Sequence, residues 1–144
     1  METEKKLAIL QNMYAMSVAE TVNTYGKLNV LKDVEDAKNA LLSQTASKIN
    51  AQLDIQTPGQ VITRMAEVLG YANWKAERRM NGFSAIATTC KLCDLCKKAG
   101  GASPCSGWCL DPMRAMIAAN DFTIDFSVKS TLMDGEYCQV DLKY

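Results

Sequence analysis

The chain has 144 residues, 16 basic and 16 acidic side chains and no histidine, a length that suits one domain able to bury a core without covalent staples. Balanced charge leaves no overall field for nucleic acid or anionic lipid, and no apolar run reaches signal-peptide or membrane-spanning length, so the expectation is a cytoplasmic protein that binds neither. Without histidine, any acid–base chemistry falls to carboxylates, lysine, tyrosine or cysteine.

Leu7, Leu10, Tyr14, Val18, Val22 and Tyr25 recur at spacings of three and four, which predicts an amphipathic helix stopped at Gly26. Leu31, Val34, Ala37, Leu41, Thr45, Ile49 and Leu53 form a second helical stripe. Thr57-Pro58-Gly59-Gln60 combines a capping threonine, a proline at the first helical position and a reciprocating glutamine. Val61, Ile62, Met65 and Leu69 then face inward from a third helix ending at Gly70. From Trp74 to Met80 the period changes to two, and Asn81-Gly82 predicts a two-residue hairpin turn into a strand from Phe83 to Thr89. A short helix follows near Leu92 to Ala99, then a flexible break at Gly100 to Pro104, then a helix from about Cys105 or Trp108 to Ala119. Phe122, Ile124, Phe126 and Val128 alternate with polar residues, Asp134-Gly135 turns the chain, and the last strand from Tyr137 to Tyr144 places Cys138, Val140 and Leu142 on one inward face.

This order predicts an α+β fold: three N-terminal helices, a hairpin, two short helices and a second hairpin, with an antiparallel four-stranded sheet packed against the helices. A single domain spans 1–144, divided into a helical part, 1–70, and a sheet part, 71–144, that carries a cysteine-rich insert at 90–109. The N-terminal stripes suit a core face or, equally, a homodimer surface.

Five of the six cysteines, Cys90, Cys93, Cys96, Cys105 and Cys109, fall within twenty residues. In a reducing compartment such a cluster points to a metal or redox centre before disulfides. Cys90, Cys93 and Cys96 have the C-x2-C-x2-C spacing of ferredoxin loops. The expected ligands of a four-iron, four-sulfur cluster are therefore Cys90, Cys93, Cys96 and Cys105, with Cys109 as the substitute fourth. Zinc is the alternative, held by the pairs Cys90/Cys93 and Cys105/Cys109. On a continuous helix, sulfurs three residues apart drift by about 60° per step, and only two of the first three would then share a site. A redox dithiol, Cys93 with Cys96 or Cys90 with Cys93, is a further reading. Cys138 reads as a buried apolar residue, Asp94 and Asp111 as solvated loop carboxylates or helix caps ahead of a metal ligand or general base, and Trp108 as core or the wall of a small pocket.

Roughly the last sixty residues resemble the L-2-amino-thiazoline-4-carboxylic acid hydrolase-like family. The resemblance lies in Cys90, Gly100-Gly101, Cys105-Ser-Gly-Trp-Cys109-Leu-Asp111 and Ser130-Thr-Leu-Met-Asp-Gly135-Glu-Tyr-Cys138. The closing Gly-x-x-Cys hairpin is also similar to the vinyl-4-reductase domain. Cys93 and Cys96 are additions to the pattern. The resemblance implies an often dimeric domain with one of two functions. One is hydrolysis of a thiazoline-like ring, with Cys109 and Asp111 as catalytic residues; the other is sensing of a small apolar ligand beside a cysteine-bound zinc. The chain's own residues point to a cysteine-ligated metal protein, with an iron–sulfur cluster ahead of zinc, serving redox, sensing or sulfur chemistry with a small molecule or redox partner.

Overall fold

A computed structural model describes residues 1–120 and 123–144. Three helices come first: α1 (Thr3–Lys27), α2 (Leu31–Gln52) and α3 (Pro58–Leu69). The capping box at α3 is formed, with Gln60 Oε1 accepting the Thr57 N–H at 3.1 Å, and Gly70 closes that helix at φ +63°. Gly26 does not stop α1. The helix runs to Lys27, and Asn29 supplies the left-handed residue at φ 59°. The α1 stripe is buried only in its second half, where Ala15, Val18, Ala19 and Val22 lie inside. Leu7 and Leu10 stay 44% and 62% exposed because the first turns of α1 project beyond the rest of the domain. In α2 the buried positions are Ala46 and Asn50, while Leu41 of the expected stripe is exposed. No helix among the described residues is long and apolar enough to cross a membrane.

The sheet is antiparallel, in the order β1 (Lys75–Arg79), β2 (Gly82–Ala87), β4 (Cys138–Lys143), β3 (Asp125–Ser130). Phe83, Ala85 and Ala87 of β2 pair with Leu142, Val140 and Cys138 of β4, and this continuous apolar face carries the core. The opposite face is polar: Ser84 donates to Asp141 at 2.6 Å and receives Arg79 Nε at 3.1 Å. The first hairpin turns one residue earlier than expected, through Met80 and Asn81, because Gly82 already pairs with Arg79. Gly82 is needed inside the strand, since a Cβ there would stand 1.8 Å from the Leu142 carbonyl oxygen. The second hairpin is wider than a two-residue turn: the Gly135 N–H reaches the Thr131 carbonyl at 2.8 Å, and β4 begins only at Cys138. β3 starts at Asp125, and Phe122 of the expected alternation lies outside the described residues.

Between β2 and β3 come α4 (Lys91–Ala99), a π-helical turn (Ser106–Leu110) and α5 (Asp111–Asn120). α4 packs on α1, and α5 packs on α2. The fold thereby brings the N-terminus of α4, the π turn and the start of β4 against one another.

A cysteine-lined pocket

Cys90 has an extended backbone and caps α4 with its sulfur, which accepts the Cys93 N–H at 3.5 Å. This is the place where serine or aspartate ordinarily satisfies a free helical N–H. Cys93 lies one turn into α4 and Cys96 a further turn along it, both 1% exposed. Gly100 and Gly101, at φ +143° and +88°, reverse the chain after α4. The reversal leads the backbone over Gly26, where a side chain would meet Ala102 at 3.0 Å. Pro104 is buried, and its carbonyl accepts the Trp108 N–H at 3.2 Å.

The π turn follows, closed by the Asp111 N–H on the Ser106 carbonyl. Such turns insert one extra residue into a helix. Here Cys109 and Leu110 line a narrow cavity of about 10 Å³ together with Cys90, Cys93, Cys105 and Cys138. Tyr71, Trp74, Pro104 and Thr131 also wall it. Five cysteines from three chain segments thus face one space the size of a single water or ion.

The cavity's polar contacts are specific. Cys93 Sγ and Cys105 Sγ are 3.9 Å apart. The Tyr71 hydroxyl donates to Cys109 Sγ at 3.1 Å, and the Leu132 N–H donates to Cys138 Sγ at 3.1 Å. The indole N–H of Trp74 is buried and has no partner among the described residues, an unusual state for a donor enclosed with so many sulfurs. All six cysteines are free thiols.

Electrostatics divide these thiols. The Cys93 thiol donates to Cys105 and holds it down to about 7, with support from Ser103 and Thr131. It lowers Cys90 in the same way. Cys93 is in turn driven far above the ordinary thiol range by those two sulfurs, Cys105 first. Burial pushes Cys96 and Cys138 up to about 11, and burial raises Cys109 as well. Negative charge on Cys105 or Cys90 adds to each of these last three shifts. The pocket therefore accommodates one or two thiolates by itself and resists more.

Of the residues singled out in the sequence, Cys90, Cys93, Cys105 and Cys109 reach the cavity, and Cys96 does not line it. Cys90 is the extended N-cap, while Cys93 and Cys96 sit three residues apart on continuous α4, where a drift of about 60° turns Cys96 off the cavity. Asp94 is exposed, while Asp111 pairs with Arg114 at 3.3 Å and does not line the cavity. Trp108 points away from the cysteines, its ring centroid 6.4 Å from that of Tyr25. Cys138, Tyr71 and Trp74 are pocket residues that sequence reasoning did not assign to the site. For Cys138 the inward strand parity was the available signal; for the two aromatics no spacing pointed there.

As the side chains stand, no three cysteine, aspartate or glutamate side chains among the described residues are placed to hold one metal ion together. The Cys93–Cys105 separation of 3.9 Å nevertheless matches the edge of a thiolate tetrahedron, which is about 3.8 Å for zinc–sulfur bonds of about 2.3 Å. Comparison of the chain with protein-family models, curated proteins and solved structures found no match.

Proposed function

We propose that this chain is a metal-binding domain whose cysteine pocket clasps a single soft divalent ion, with zinc the closest chemical fit. The observation that carries the reading is the convergence of Cys90, Cys93, Cys105, Cys109 and Cys138 on one water-sized cavity. Cys90, Cys93 and Cys105 would supply three ligands and Cys109 or Cys138 the fourth, once their side chains rotate onto a common centre. The chemistry of the donor set fits: soft thiolates select zinc-like ions, and a tetrahedral all-sulfur site has no open position. The orphaned Trp74 N–H is a ready second-sphere donor to a sulfur that becomes anionic. Positive charge in the cavity removes the mutual repulsion that otherwise keeps most of these thiols protonated.

Such an ion would staple α4, the π turn and β4, adding to the apolar packing and the single Cys93–Cys105 sulfur contact at 3.9 Å. The size of the cavity favours this structural or sensing role over turnover of a thiazoline-like ring, because a heterocycle has no room beside the sulfurs. The position of Asp111, paired with Arg114 outside the cavity, points the same way.

A second reading, a four-iron cluster, is favoured by the C-x2-C-x2-C spacing. It requires the first turns of α4 to open so that Cys96 joins Cys90 and Cys93. Anaerobic purification followed by metal analysis and an absorption spectrum separates the two. Colourless protein with one zinc per chain supports the single-ion site, and brown protein with iron and acid-labile sulfide supports the cluster. Protein that takes up neither metal and keeps six titratable thiols overturns both.

A further inference from the structure

A second cavity, independent of the metal reading, lies on the other side of the π turn. It is a half-open cleft of about 260 Å³ between α1, α2, α3 and α5. Ile49, Leu53, Met65, Leu69, Trp108 and Met116 make its apolar body. Gly107, in its wall, allows α2 to come close, since a Cβ there would meet the Glu35 side chain at 3.2 Å.

Among the described residues, Lys38 is the one charged side chain that lines the cleft. Its ammonium sits 4.8 Å from the centre of the Trp108 ring. It makes no ion pair among the described residues. Glu35, three residues before it on the same helix, is engaged by Ser106. An apolar cleft with one unpaired cation at its edge is complementary to an amphiphile with an anionic end. The cleft has room for an aliphatic chain of medium length. Unbranched methionine and leucine walls fit a flexible aliphatic tail.

We propose that this cleft binds a medium-chain carboxylate, its tail between Met65 and Met116 and its carboxylate at Lys38 over Trp108. The tail gains from burial, the carboxylate gives the lysine its missing partner, and the lysine stem stays packed on the indole.

Calorimetric titration of the full chain with octanoate, 1-octanol and octylamine tests the proposal. Octanoate should bind once per chain with a sub-millimolar dissociation constant or tighter, ahead of octylamine. Lys38→Met should weaken octanoate about fivefold and leave octanol unchanged. Val68→Trp fills the rim from a position that is 43% exposed, so the fold tolerates it, and it should weaken octanoate and octanol together. Absence of saturable octanoate binding overturns the proposal. So do octylamine binding as well as octanoate, or an octanoate affinity untouched by either substitution in chains of unchanged circular dichroism. The titration is repeated on metal-free and zinc-loaded protein; binding in both forms separates this cleft from the fate of the cysteine site.

Discussion

Replacing Cys93 by serine is expected to lower zinc affinity by at least about 100-fold, whereas replacing Cys96 by alanine changes it by less than about threefold. The contrast follows from position. Cys93 Sγ stands 3.9 Å from Cys105 Sγ, acts on the Cys90 thiol as well, and lines the cavity; Cys96 is equally buried but lies outside it. Serine does not ionise at neutral pH, so the variant loses a full thiolate ligand. Even the loss of an outer-shell partner costs metal sites about 10- to 100-fold. Cys96→Ala removes one buried sulfur and should cost about 1 kcal/mol of stability through the small void it leaves. Affinity is read by competition with a chromophoric chelator under argon, and stability by urea unfolding of the metal-free chains. Equal loss of zinc in the two variants, or full zinc retention in Cys93→Ser, refutes the single-ion geometry. Greater loss in Cys96→Ala would move the site onto the C-x2-C-x2-C spacing and favour the cluster.

Tyr71→Phe deletes the hydroxyl that donates to Cys109 Sγ at 3.1 Å; the metal-free protein should lose about 1 kcal/mol in urea unfolding, and no loss would show that the contact is energetically idle. Iodoacetamide attacks thiolate and not thiol, so in metal-free protein the labelling of half-buried Cys105 should rise with pH and reach half its plateau near 7, the value to which the Cys93 thiol holds it down. Cys96 and Cys138, raised to about 11, should stay unlabelled through pH 9. Peptide mapping by mass spectrometry distinguishes them, and uniform labelling near pH 9 would contradict the hydrogen-bonded pair. Zinc added to metal-free protein near pH 8 should release about two to three protons per ion, because Cys105 is already ionised there while buried ligands must give theirs up; release of one proton or none in a weakly buffered indicator solution would rule out an all-thiolate site.

The order of elements was legible because each is marked by local chemistry. The Thr57 and Gln60 cap, the left-handed Gly70 and the period-two runs around Phe83 and Val140 act within a few residues, and tertiary packing agrees with them. What was not legible depends on neighbours distant in sequence. Leu7 and Leu10 continue a good helical stripe, yet nothing in the stripe says where the domain beneath α1 ends. Asn81-Gly82 is a strong turn signal, but the approach of the Leu142 carbonyl claims Gly82 for the strand and shifts the turn by one residue. In the site, the sequence favoured Cys90, Cys93, Cys96 and Cys105 with Cys109 as the substitute fourth, and the zinc alternative paired Cys90/Cys93 with Cys105/Cys109; Cys96 falls outside the cavity because α4 is continuous and drifts by about 60° from Cys93 to Cys96. Tyr71 and Trp74 flank the switch from helix to strand and reach the pocket only through the fold.

Packing by itself is a poor account of the pocket. Alanine or valine would fill the same volume without a titratable group, and a buried cysteine usually acts as a small hydrophobe among hydrocarbons. Here the sulfurs face one another. Charge on Cys90 or Cys105 raises Cys96, Cys109 and Cys138, so each thiolate formed makes the next more difficult. A cation reverses the sign of that coupling, because every thiolate it recruits then lowers the cost of the others. The Trp74 N–H, which has no partner among the described residues, would gain a strong acceptor if a neighbouring sulfur became anionic. On the proposed reading the arrangement would be frustrated when protonated and satisfied when metallated, and that difference would tie the free energy of ion binding to the docking of α4, the π turn and β4.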